Sequence, residues 1–347
     1  MDSSRELKLV VYPGYGSARA AGEIALRISG VVYEQRFPLE LRKQFLVKLL
    51  GRAMRATPAE IRDEVFRRRV APFVAKPRRG LRVWLQIGPR RFRLRRRTRR
   101  SGWFRSKLIL PADLVATLRA SGDWVGDRIA MRAWLSSEDH VEAAGAAFVL
   151  PRRGVSIVSD IDDTIKESNV ANRRELLANT FLREFEAIDG MSALYQEWAA
   201  LGAAFHYVSS SPWQLFDPIQ QWSTSRGFPP GTIHLRSFRL RDQVIRRKAN
   251  AKRRKSQSIS KLLKDFPERR FVLIGDSGER DPEIYARLCG KFADRIAAIF
   301  IRDLEDESMD GDRMRSAQAK ALPVPCERFV SPSQLRMLAS GVMTGGD

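Results

Sequence analysis

VSIVSDIDDTIKESN, residues 155 to 169, decides how this chain is read. The apolar-leaning run Val155-Ser156-Ile157-Val158 has the length of a short buried strand and leads directly into Asp160, Asp162 and Asp163. Adjacent carboxylates repel one another unless a cation or a proton holds them together. Asp160 and Asp162 stand two apart in extended chain, so both point to one side of it. The stretch predicts a strand whose carboxyl end faces something positive, the alternative being a solvated turn capped by aspartates. Asp163 is assigned to ordering the loop.

The rest of the second half has the grammar of an α/β sheet. After a junction at Pro151-Arg152-Arg153-Gly154, strand-like runs (155–159, 203–209, 271–275, 296–301) alternate with helical ones (190–201, 256–266, 282–292). Such alternation predicts a doubly wound, mainly parallel sheet, in which ligands bind beyond the carboxyl ends of the strands. Those ends carry Asp160-Ile161-Asp162-Asp163-Thr164, then Ser209-Ser210-Ser211-Pro212, then Gly275-Asp276-Ser277-Gly278-Glu279-Arg280-Asp281, with Lys255 at a helix start before the last.

DxDxT, a strand-terminal Ser, a Lys and GDxxxxD, in that order, resemble the haloacid-dehalogenase-like phosphatase fold. More closely, SDIDDTIKESNV, YVSSSPWQLF, LLKDFPERRFVLIGDSGERDPEIYARL and IAAIFIRD are similar to the catalytic domain of App1-type phosphatidate phosphatases. The resemblance covers roughly residues 150 to 305. It implies a Mg2+-dependent phosphatase acting through an aspartyl-phosphate, with phosphatidate hydrolysed to diacylglycerol; the alternatives are a phosphatase acting on nucleic-acid ends or a soluble phosphomonoester, or a non-catalytic protein that binds anionic membranes or nucleic acid. Asp160 would be the nucleophile and Asp162 the general acid, then general base. Asp160, the backbone carbonyl of Asp162, and Asp276 are the implied Mg2+ ligands, with Asp281 helping directly or through water. Ser209 or Ser210, Thr164 and Lys255 are the implied phosphate contacts.

Several of these residues have plainer readings. Asp281 precedes Pro282 and is a good helix cap. Lys255 lies among competing cations in RRKANAKRRKSQSISKLL, with Lys252 as the fallback. His206 falls inside a strand and is read as a packed residue; with only His140 and His234 besides, a Ser-His-Asp arrangement has no support. The segment between the first two strands, Ile165 to about Trp198, is short and partly helical (175–185), which predicts no large lid over the site.

The first half, residues 1 to 150, is different. It holds 31 Lys+Arg against 14 Asp+Glu, a charge of +17, while residues 151 to 347 hold 31 against 26, or +5, making up the total of +22. Strand-like runs at 7–12, 22–33, 81–87 and 106–110 predict a small β-sandwich-like domain. Helical spacing at 41–55 and 58–69, with Thr57 as N-cap, predicts an insertion near 41–69. RRFRLRRRTRR, residues 90 to 100, would put arginine on both faces of a strand, so part of it must face solvent or an anionic partner. An anionic membrane surface is the first expectation and nucleic acid the second. Trp103 and Phe104 are read as core residues before lipid- or base-contacting ones.

Residues 306 to 347 are read as an extension with a helix after Ser331-Pro332. Two cysteines, Cys289 and Cys326, argue against a disulfide framework and, with three histidines, against zinc. No leader and no apolar stretch of roughly 20 residues is read, so the expectation is a cytoplasmic protein, peripheral at the inner membrane face.

Overall fold

The computed structural model describes residues 5–36, 40–136, 138–236, 249–304 and 322–344. The chain divides into two units, Met1–Leu46 with Ala71–Arg152, and Val47–Val70 with Arg153–Asp347. Most of the helical insertion read at 41–69 thus groups with the second unit.

In chain order the first half comprises β1 (Arg5–Ala18), β2 (Ile24–Arg36), α1 (Glu40–Met54), α2 (Pro58–Arg62), α3 (Glu64–Val74), β3 (Lys76–Pro77), β4 (Val83–Ile87), β5 (Arg90–Arg93), β6 (Trp103–Leu110), α4 (Ala112–Ser121), β7 (Trp124–Val125), β8 (Arg128–Leu135) and β9 (Glu138–Leu150). The strands form one nine-stranded sheet in the order β3-β2-β1-β9-β8-β4-β5, with β6 on β2 and β7 on β8. The pairing joins the described strands into one hydrogen-bonded sheet and does not confirm the expected sandwich-like domain. Every pair is antiparallel except β1 with β9, which runs parallel from Gly14/Ala147 to Ser17/Leu150. Period-2 alternation builds the core: β4 buries Val83, Leu85 and Ile87, and β8 buries Ile129, Met131, Ala133 and Leu135. Leu114, Val115 and Leu118 of α4 join the same core.

The arginine run resolves simply. Only Arg90–Arg93 is strand; beyond it Leu94 and Thr98 turn inward while every arginine from 90 to 100 is exposed. Thr98 fixes the segment, its hydroxyl donating to the Arg78 carbonyl at 2.7 Å and accepting from the Leu81 amide at 3.0 Å. Trp103 and Phe104 are buried in the core.

The second unit holds β10 (Val155–Ser159), α5 (Arg173–Phe181), α6 (Met191–Ala200), β11 (Ala204–Pro212), α7 (Phe216–Ser225), β12 (Gly231–Arg236), α8 (Ala249–Asp265), β13 (Arg270–Asp276), α9 (Asp281–Phe292), β14 (Ile296–Arg302), β15 (Cys326–Phe329) and α10 (Pro332–Thr344). Its six strands run in the order β12-β11-β10-β13-β14-β15, all parallel, as an α/β sheet requires. The chain leaves β10 first toward β12 and later toward β15, so the order reverses at β10. That reversal opens a crevice at its carboxyl end. The 306–347 extension contributes the sixth strand and α10, which buries Leu335 and Ala339. Asp306 itself lies outside the described residues.

The insertion is capped as its sequence predicts: Glu60 N donates to Thr57 Oγ1 at 3.3 Å and Thr57 N to Glu60 Oε2 at 2.7 Å. Its Arg69, 1% exposed, donates to the Thr180 carbonyl at 2.9 Å and lies 3.9 Å from the centre of the Phe185 ring. Among the described residues no helix is long and apolar enough to cross a membrane.

Candidate active site

The carboxyl end of β10 delivers Asp160 and Asp162 into the crevice, 1% and 5% exposed. They have different partners. Asp160 Oδ1 accepts from Lys255 Nζ at 2.7 Å, while its Oδ2 is buried with no partner among the described residues. Lys255, from the second turn of α8, also lies 2.5 Å from Asp281 Oδ1 and 3.6 Å from Glu279 Oε2.

β13 brings the opposing acids. Asp276 is wholly buried; its Oδ1 accepts the Glu279 amide at 2.7 Å and its Oδ2 has no partner among the described residues. That amide bond folds Glu279 back over the strand end. One carboxylate oxygen from each of Asp160, Asp276 and Glu279 then lies within 4.8 Å of the others. Gly275 makes room for Asp281: a Cβ there would sit 2.2 Å from Asp281 Oδ2 and 2.7 Å from its Cβ. A side chain at 275 would therefore expel the carboxylate that pairs with Lys255.

Charge explains the titration of this cluster. Burial, then Asp281, Glu279 and Asp276, push the Asp160 carboxyl well above the usual carboxylate range, although Lys255 opposes them. Burial and the neighbouring Asp281 and Glu279 do the same to Asp276, and burial raises Glu279. Burial alone would lower the Lys255 ammonium, but Asp160, Asp281 and Glu279 outweigh it and hold it well above its ordinary value. Asp160, Glu279 and Asp281 thus pair with one buried ammonium, and Asp276 lies beside them. Asp160 and Asp276 each offer a buried oxygen without a partner among the described residues, and hard oxygen donors with surplus negative charge fit a divalent cation.

Asp162 has the opposite environment. Lys166 Nζ lies 2.9 Å from its Oδ1, which also accepts from Ser168 Oγ at 2.8 Å; Oδ2 accepts from Ser209 Oγ at 3.1 Å and Ser211 Oγ at 2.8 Å. Burial would raise this carboxyl, but the Lys166 charge and the hydrogen bonds from Lys166, Ser168 and Ser211 bring it down to about 2. Asp163, at φ +53°, accepts the amides of Ser168, Asn169 and Val170 and so ties the loop back on itself.

With that geometry in place, sequence comparison gives the family resemblance. Residues 155–303 match the family model described as phosphatidate phosphatase APP1, catalytic domain. Phosphatidate phosphatase APP1 of Saccharomyces cerevisiae is 34% identical over 203 residues, covering 56% of this chain and 34% of that protein. An uncharacterized protein of Schizosaccharomyces pombe is 36% identical over 194 residues, covering 54% of this chain and 32% of that protein. The chain thus spans about a third of the length of these curated relatives. A crystal structure of a HAD family hydrolase from Deinococcus radiodurans R1, with bound phosphate and sodium, covers 55% of this chain and 98% of its own at 11% identity and a TM-score of 0.33.

Within the stretch that matches the APP1 catalytic domain, the strand-end residues read from the sequence come together. Asp160, Asp162, Ser209, Lys255, Asp276 and Asp281 all line the crevice. Ser210 donates to Glu279 Oε2 at 3.1 Å. Thr164 is fully buried, its hydroxyl without a partner among the described residues. Two assignments shift in emphasis. The close acidic set contains Glu279, which the sequence reading did not single out, while the Asp281 carboxylate turns to Lys255. Lys166 and Ser211 were likewise not singled out. Arg246, Arg247 and Lys248 lie outside the described residues, as does the Lys252 side chain. His206 is a packed strand residue, its Nδ1 2.7 Å from Thr232 Oγ1, and burial holds it well below its ordinary value.

Proposed function

We propose that this protein is a Mg2+-dependent phosphatase of the haloacid-dehalogenase-like type, hydrolysing phosphatidate to diacylglycerol and phosphate. The observation that carries the reading is the meeting of Asp160, Asp276 and Glu279 oxygens within 4.8 Å, with Lys255 2.7 Å from Asp160. The match to the APP1 catalytic domain supports phosphatidate as substrate.

Asp160 would attack phosphorus, forming an aspartyl-phosphate as the ester P–O bond breaks. Asp162 would give its proton to the departing alkoxide oxygen. In the second step a water oxygen attacks phosphorus, its proton passes to Asp162, and the bond to Asp160 breaks. Lys255 keeps Asp160 oriented and offsets charge on the phosphoryl oxygens, toward which Ser209, Ser210 and Thr164 would donate. Mg2+ held by Asp160, Asp276 and Glu279, with Asp281 behind Lys255, would neutralise the remaining negative charge. Asp162 is ionised while Ser209 and Ser211 donate to it. A phosphoryl group that competes for the Ser209 hydroxyl and adds negative charge nearby would raise its proton affinity toward the acid form.

The test is phosphate release from phosphatidate in mixed micelles and from soluble phosphomonoesters, with Mg2+, with chelator, and with Asp160→Asn. The proposal expects release from phosphatidate that needs both Mg2+ and Asp160. Release confined to soluble esters would overturn the substrate and keep the chemistry; no release from the folded protein on any of these would overturn both.

A further inference from the structure

The first unit's sheet turns a tryptophan pair toward solvent. β4 points Trp84 and Gln86 away from the core, and β8 points Arg132 and Trp134 the same way. Cross-strand register sets two rows over β5, β4 and β8: Arg93, Trp84, Trp134 and, beside it, Arg91, Gln86, Arg132. The indoles are half-buried, their ring centres 6.1 Å apart and their planes 13° from parallel. The Arg91 guanidinium lies 5.6 Å from the Trp134 ring centre. β5 is the terminal strand of the order, and the exposed arginines from 90 to 100 continue from its edge. Arg132 pairs with Glu142, while Arg91 and Arg93 add two further guanidinium groups to the same face.

Charge on an edge strand has a plain purpose, since it blocks pairing with other chains. That accounts for arginine on β5. It does not account for two half-buried indoles side by side on the outward face of β4 and β8, where an antiparallel sheet ordinarily carries polar residues. Tryptophan and arginine together suit a partner that is anionic outside and apolar a few ångströms in. Indoles favour the membrane–water interface, and arginines are drawn to acidic headgroups.

We propose that the Trp84–Trp134 face with its arginine rim docks on anionic lipid bilayers. The choice of a bilayer among anionic partners rests on the phosphatidate reading above and on ring geometry. Stacking a nucleobase needs an open aromatic face. Here the two indoles lie nearly parallel beside each other and Arg91 lies over Trp134.

The test is sedimentation of the full chain with phosphatidylcholine vesicles, with and without phosphatidylserine, at low and physiological salt. Binding should need the anionic lipid and weaken with salt. Arg91→Gln with Arg93→Gln, both exposed and outside the catalytic machinery, should weaken it roughly 25-fold, about fivefold for each arginine. Trp84→Ala with Trp134→Ala should weaken it while leaving its salt dependence in place, and the arginine variant decides the matter if the tryptophan variant does not fold. Turnover of a soluble phosphomonoester should be unchanged in the arginine variant. Equal binding to neutral and anionic vesicles, or arginine variants that bind as wild type, would overturn the proposal. So would tighter binding to single-stranded oligonucleotides that the same substitutions abolish. Vesicle binding without phosphate release would support this surface and remove the phosphatidate reading; release without vesicle binding would do the reverse.

Discussion

Lys255→Met removes one charge while keeping most of the buried stem. At 2.7 Å from Asp160 and 2.5 Å from Asp281, its gross attraction is about 6 and 7 kcal/mol at an effective dielectric of about 20. Loss of one partner from a buried pair costs less, about 3–5 kcal/mol, because the site relaxes and a proton can replace the cation. For a unit of this size that is a melting temperature lower by roughly 10 °C at neutral pH. The pH dependence has a definite sign. Asp160 already binds its proton more tightly when folded than when unfolded, and without Lys255 that preference grows. Ionising such a group costs folded-state stability; the cost shrinks as pH falls below the folded pKa and is gone below the unfolded value near 4. The variant should therefore recover toward wild type as pH falls from neutral toward about 4. Thermal melts of both proteins in chelator, at the two pH values, measure it. Equal stability at neutral pH, or a deficit that does not shrink in acid, would refute the pairing and return Lys252 to consideration.

Other perturbations follow from the same geometry. Asp162, held at about 2, contributes about 2 kcal/mol that is present above its unfolded value near 4 and lost as pH falls toward 2; Asp162→Asn should flatten that part of an acid-denaturation curve and lower turnover by about 10²–10⁴. Divalent cation should raise the melting temperature of wild type, and the rise should be lost in Asp276→Asn and reduced in Glu279→Gln, as calorimetry with and without chelator would report. Gly275→Ala should cost about 1–3 kcal/mol by overpacking against Asp281 and lower activity as well, measured by urea unfolding alongside turnover.

The site was legible where local pattern and chemistry coincide. β10 reads as a strand from five residues, and the spacing of Asp160 and Asp162 already places them on one side. Glu279 was hidden because its position depends on a backbone amide bonding back to Asp276, a turn that sequence spacing does not reveal. Its signal was an extra acid inside GDSGERD. Lys166 stands four residues after Asp162, inside the quoted stretch, but only the fold of the loop shows that it is buried against that carboxylate. The first unit was legible as strands and not as a sheet, because the pairing of β1 with β9 joins residues more than a hundred positions apart. β15, Cys-Glu-Arg-Phe, is too short and polar to announce itself; parallel pairing with β14 makes it a strand.

Asp160 is expected to carry the phosphoryl group during turnover. Borohydride added during steady turnover reduces an acyl-phosphate to the alcohol, converting the modified aspartate to homoserine, which peptide mass spectrometry locates. Homoserine is expected at position 160 alone, dependent on substrate and Mg2+. Continuing phosphate release with no reduced residue, or with reduction at another carboxylate, would contradict it.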